Sequence, residues 1–88
     1  MNDIELEKDV LNYILINKDE LKAECKPLNK NVPAHLQNIY RDIHKSKVLT
    51  ILCIYVIHQF NLNPEQLHAI INEENINNLL GKDFLYGN

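Results

Sequence analysis

Glycine is scarce in this 88-residue chain, occurring only at positions 81 and 87. No Asn-Gly, Asp-Gly or Gly-Gly pair is present, so the tight turns that join β-strands lack their usual residues. The same scarcity leaves no glycine-rich loop to cradle a phosphate. Proline occurs only at 27, 33 and 64, and tryptophan is missing. Positive charge is spread thinly. Residues 1–44 carry six basic and eight acidic groups, residues 45–88 carry three and four, and the net charge is −3. Phosphate-driven nucleic-acid binding needs clustered Lys and Arg, so no nucleic-acid partner is expected. Lys45 and Lys47, with Tyr40 nearby, read as a solvated helix end.

Two cysteines, Cys25 and Cys53, are too few for a disulfide framework. The chain opens Met1-Asn2-Asp3-Ile4-Glu5, acidic where a secretion signal would be basic. A reducing cytoplasm is the expected location. Zinc motifs need ligands at i, i+4 or as Cys-x-x-Cys. His35, His44, His58 and His68 stand nine residues or more apart, and Cys53 and His58 differ by five. Cys25 has no histidine near it in sequence to act as a base, and Cys53 reads as a small buried hydrophobe. Glu73 and Glu74 are adjacent, so they point to different sides of a helix. No metal, cofactor or catalytic residue is expected, and the chain does not read as an enzyme.

What is present is helix punctuation. The 45% hydrophobic and 24% charged content is that of an ordinary globular chain, and the length suits one domain, residues 1–88. A first helix is expected from Asn2 or Asp3, with Asp3, Glu5 and Glu7 in its early turns and Leu6, Val10, Ile14 and Leu21 on its apolar side. Asn17-Lys18-Asp19 is either a break, with Asp19 capping a short second helix, or a solvated face of one helix; continuity is the expectation. Pro27 stops the helix and 28–31 form a loop. Asn31 or Val32 then caps a helix with Pro33 in its first turn, and Leu36, Ile39, Tyr40 and Ile43 form its stripe. Ser46 is a candidate cap for a further helix, although 34–60 also reads as a single one.

The thirteen residues 48–60 carry no Asp, Glu, Lys or Arg. A membrane-spanning helix needs about 20 apolar residues, and 10–14 indicates a buried core helix. Many of these residues are β-branched, but no other segment offers a partner strand. The segment is therefore expected to be a core helix, with Leu52 and 54–57 supplying much of the core. Asn63-Pro64-Glu65-Gln66 then places Asn at the N-cap, Pro at the first helical position and Gln at the third, a capping-box arrangement. Leu67, Ile70 and Ile71 form its buried face, Ile76, Leu79 and Leu80 continue it, and Gly81 stops it. The tail beyond Gly81 holds Phe84-Leu85-Tyr86. It either folds back onto the helices or presents apolar side chains to a partner.

The order of features resembles the immunity proteins of pediocin-like (class IIa) bacteriocins. The matching stretches are Asn31-Val32-Pro33 with Leu36, Ile39 and Ile43, then Phe60-Asn61-Leu62-Asn63-Pro64-Glu65-Gln66-Leu67. Ile76-Asn77-Asn78-Leu79 and a tail of Asp83-Phe84 with Tyr86-Gly87 complete it. The first helix carries no match. The resemblance implies an all-α, small antiparallel four-helix bundle with a short C-terminal tail. It implies a non-enzymatic protein that protects the producing cell from the cytoplasm by contacting the bacteriocin-bound membrane permease, at most peripherally to the membrane. It also places recognition in the C-terminal half, on Lys82, Phe84, Leu85 and Tyr86 and the exposed face of the helix after Asn63. On that expectation the tail carries specificity and adds little to the fold. Two other readings stand beside it. One is a small phage or mobile-element inhibitor that binds a host protein through a helical face. The other is an oligomerisation module, in which 48–60 packs on a second copy, so that the chain is a monomer or a homodimer.

Overall fold

A computed structural model of the chain describes residues 3–25 and 31–86. Pro27 and residues 28–30 lie outside them. The helices are α1 (Asp3–Ile16), α2 (Lys18–Glu24), α3 (Gln37–Gln59), α4 (Pro64–Ile70), α5 (Glu73–Leu80) and α6 (Lys82–Tyr86), with a 3₁₀ turn at Ala34–Leu36 before α3. No strand occurs among the described residues, so the chain is all-α. The described residues form six α-helices where four main ones were expected.

Asparagine accounts for much of that difference. The Asn17 backbone N–H and side-chain Nδ2 both donate to the Tyr13 carbonyl, at 3.2 and 2.8 Å. A side chain that competes for a helical carbonyl favours a break. The expected continuity therefore fails at Asn17, and Asp19 lies inside α2 rather than capping it. At the other end of the chain, Asn72 Oδ1 accepts from Asn75 N at 2.9 Å and caps α5. Asn72 Nδ2 and Asn75 Nδ2 donate to the carbonyls of Ala69 and Ile70, both at 2.9 Å, satisfying the end of α4. The expected capping box at Asn63 is present in full: Gln66 N donates to Asn63 Oδ1 at 2.8 Å, and Asn63 N donates to Gln66 Oε1 at 3.1 Å.

Helix α3 runs unbroken for 23 residues, about 35 Å at 1.5 Å per residue. Ser46 does not cap a new helix; its carbonyl accepts from Thr50 Oγ1 at 2.8 Å inside the turn. Pro33 stands at the entry to the 3₁₀ turn, with its carbonyl bonded to Leu36 N at 2.9 Å, rather than within a first α-turn.

The core joins Val10 and Ile14 of α1, Leu21 of α2, and Val48, Leu52 and Val56 of α3 to Ile70, Ile71, Ile76, Leu80, Phe84 and Leu85. Along α3 the buried positions His44, Val48, Leu52 and Val56 step by four, one ridge of the helix surface. Leu52 and Val56 are fully buried as expected, but Ile54 and Ile57 are 50% and 55% exposed and correct that expectation. They lie on the far side of the helix, away from the ridge. Tyr13 and Phe60 meet edge to face at 5.7 Å, tying α1 to the end of α3.

Gly81 turns the chain between α5 and α6 with φ +88° and ψ 157°, a conformation that is almost restricted to glycine. The turn carries α6 back against α3. The molecule is long and thin, 47 × 24 × 21 Å. Its accessible surface is 6108 Å², where a compact protein of this mass exposes about 5,400 Å². One side of α3 stays uncovered.

Candidate functional site

The four residues expected to meet a partner occupy different environments. Phe84 is 8% exposed and Leu85 is fully buried; both belong to the core, packed with α3 and α5. Lys82 is exposed at the start of α6. The side chain of Tyr86 lies outside the described residues. The expectation that the tail adds little to the fold is therefore corrected. With Gly81 as the corner, burial of two large apolar side chains outweighs the tendency of a short terminal segment to fray.

The exposed apolar surface lies on α3 instead. Ile39, Tyr40, Ile43, Ile54 and Ile57 are 56%, 37%, 48%, 50% and 55% exposed. On an α-helix Ile39, Ile43, Ile54 and Ile57 lie opposite the ridge of His44, Val48, Leu52 and Val56, and Tyr40, four residues before His44, borders it. The sequence held the signal. Drawing two rows through 37–59, one stepping by four and one alternating three and four through Lys47 and Thr50, separates the two faces. Counting the segment as uniformly hydrophobic merges them.

A second surface feature lies between α1 and α4. It is a cleft of about 260 Å³ floored by Leu6 and Ile70 and rimmed by Asp3, Glu7, Glu65 and Gln66. It includes part of the exposed face after Asn63, and its charge is acidic.

The reactive side chains are quiet. Burial pushes the Cys25 thiol up, with Lys47 partly offsetting this and Glu24 adding to it. Burial alone pushes the Cys53 thiol up. A raised thiol holds little thiolate at neutral pH and is a poor nucleophile. Tyr55 Oη lies 3.3 Å from a carboxylate oxygen of both Glu20 and Glu24, and burial beside those charges pushes it up to about 12. This bridge fastens α2 to α3. Lys45 Nζ pairs with Glu73 at 3.3 Å, linking α3 to α5. Both partners are partly exposed, so the pair contributes at most about 1 kcal/mol.

His44 is the unusual polar group. It is 4% exposed, and neither ring nitrogen has a hydrogen-bond partner. Burial pushes its pKa down, the charge of Lys47 pushes it further, and the nearby Phe84 backbone opposes this in part without forming a well-aligned hydrogen bond. A neutral His44 thus sits under the returning tail. Among the described residues, no group of three or more His, Cys, Asp and Glu side chains is placed to hold a metal ion. No described helix is long and apolar enough to cross a membrane. No protein-family model, curated protein or solved structure matches the chain.

Proposed function

We propose that this protein works by contact with another protein and not by catalysis. The observation that carries this reading is the uncovered apolar face of α3, where four isoleucines stand about half exposed. They stand as two apolar pairs, Ile39 with Ile43 and Ile54 with Ile57, on either side of Lys47 and Thr50, and exposed apolar groups of this kind mark contact surfaces. The resemblance supplies the biological setting of the proposal. The chain is a cytoplasmic immunity protein of the pediocin-like type, acting on a bacteriocin-bound permease. In this setting α1 with α2, α3, α4, and α5 with α6 correspond to the four members of the bundle. Recognition falls to the exposed parts of the C-terminal half, Lys82 and the outer side of α4 beside the acidic cleft.

The test is protection of living cells. Expressed in a strain sensitive to pediocin-like peptides, the protein is expected to confer resistance to at least one peptide of a broad panel. Lys82→Glu, at an exposed position, is expected to weaken that resistance while leaving the circular dichroism spectrum unchanged. No protection across the panel, with the protein shown to be folded and abundant in the cells, overturns the immunity role and favours an inhibitor of some other host protein.

A further inference from the structure

The exposed face of α3 has an internal symmetry. Tyr40, Ile43, Lys47, Thr50, Ile54 and Ile57 are separated by steps of three, four, three, four and three, and all but the half-buried Lys47 are exposed. That is the spacing of a coiled-coil seam. The pattern is also symmetric about the point between Val48 and Leu49. Turned end for end, α3 sets Tyr40 against Ile57, Ile43 against Ile54 and Lys47 against Thr50. Apolar positions then meet apolar positions, and the two polar positions meet each other at the centre. A parallel alignment instead stacks Lys47 on Lys47, placing like charges together.

We propose that this face pairs with the same face of a second copy of the chain, giving a two-fold dimer in which the two α3 helices run antiparallel. A two-fold interface has to be self-complementary, and this row is so in the antiparallel direction. The four apolar residues of the row present on the order of 400 Å² per protomer, so a pair buries on the order of 800 Å², below the size of a stable specific interface and within the range of transient contacts. An interface of that size is weak and reversible. The inference rests on the reading of this face as a contact surface, and it does not depend on the immunity role.

Sedimentation velocity on the full chain, up to about 0.5 mM to cover weak pairing, tests it. The wild type is expected to shift from monomer to dimer as concentration rises. Ile43→Glu and Ile54→Lys are each expected to stay monomeric with unchanged helix content, because both positions are exposed in the monomer. An equimolar mixture of the two variants is expected to dimerise again. In the antiparallel register the carboxylate introduced at position 43 of one copy faces the ammonium introduced at position 54 of the other, and the remaining Ile54 faces the remaining Ile43. A wild type that stays monomeric throughout overturns the dimer. A mixture that stays monomeric overturns the antiparallel register, and a dimer that survives both single substitutions places the interface elsewhere. If the wild type is monomeric but either substitution abolishes protection of cells, the face is a contact surface for a different protein. The broader reading then stands while this inference falls.

Discussion

The two sides of α3 carry much the same kinds of residue and have opposite fates. Val48, Leu52 and Val56 are fully buried, while Ile43, Ile54 and Ile57 on the same helix are about half exposed. Hydrophobicity does not separate Val48, Leu52 and Val56 from Ile43, Ile54 and Ile57, because all six are branched and aliphatic. What separates them is the spacing and what packs on each. The row stepping by four lies under α1 and α6, and the row alternating three and four faces water. An apolar side chain in this helix is therefore a core element on one side and a contact element on the other. The difference is measurable as stability against association.

The strongest challenge to the comparison is to remove the cover from the inner side. Deleting residues 83–88 takes away Phe84 and Leu85, which close the core over α3. At about 1.5–3 kcal/mol for each buried side chain, the loss is about 3–6 kcal/mol. A domain of this size has a total stability of about 4–13 kcal/mol. The truncated chain is expected to melt far below the full chain or to be only partly folded. A truncation with an unchanged melting temperature would show that α6 does not hold the inner side.

The next test sets the two sides directly against each other. Leu52→Ala is expected to cost about 2–5 kcal/mol, because a buried leucine leaves a cavity. Ile54→Ala, two positions away, is expected to change stability by less than about 0.5 kcal/mol when measured at concentrations too low for association. Urea denaturation of the two variants gives the ratio. Equal costs would abolish the distinction between the sides.

The sequence made some of this legible and hid the rest for physical reasons. The helical class followed from the absence of hairpin turns, and the Asn63 cap followed from local chemistry, where one side chain and three residues decide the outcome. Leu52 and Val56 were legible as core. Ile54 and Ile57 were not, because periodicity shows that a side is apolar without showing whether anything covers it. Phe84 and Leu85 were undecided for the same reason: the tail's fate depends on the corner at Gly81 and on a long-range docking surface. The break at Asn17 turned on one side chain competing for one carbonyl, below the resolution of propensity. Asn72 and Asn75, which close the α4–α5 corner, carry no signal of their own in the sequence, because only the turn between the helices sets them against the carbonyls of Ala69 and Ile70.

His44 is the one polar position in the buried row, and it sharpens the comparison at a smaller scale. Neither ring nitrogen has a well-aligned partner, only the nearby Phe84 backbone, so replacing the ring by a side chain without polar atoms removes a desolvation cost. His44→Leu is expected to stabilise the fold by about 1–2 kcal/mol. The pH dependence has a definite sign. Burial lowers the pKa of His44 in the folded state, so the unfolded chain takes up the proton first. The stability tied to neutral His44 is complete above the unfolded value of about 6.5 and is lost as pH falls below it. Urea midpoints at about pH 7.5 and about pH 5.5 are expected to fall further in the wild type than in His44→Leu. Parallel falls in both proteins would show that His44 is not held neutral beneath the tail.

The smallest expected loss of a structural hydrogen bond belongs to a position on neither side of α3, and it checks that stability losses follow local causes. Asn63 holds the first turn of α4 through two reciprocal hydrogen bonds with Gln66. Its side chain is exposed, so Asn63→Ala removes a cap without opening a cavity. The expected cost is about 1 kcal/mol, the usual loss for an N-cap. Gln66→Ala removes only the reverse bond and is expected to cost less, because the Asn63 side chain still caps the backbone N–H at position 66. Neither change touches the row from Tyr40 to Ile57, so self-association is expected to be unaffected in both. Thermal melts and sedimentation of the two variants together check this. A loss near zero at Asn63 would mean that Pro64 alone fixes the start of α4. A change in association would mean that the outer side of α3 depends on how the chain leaves that helix.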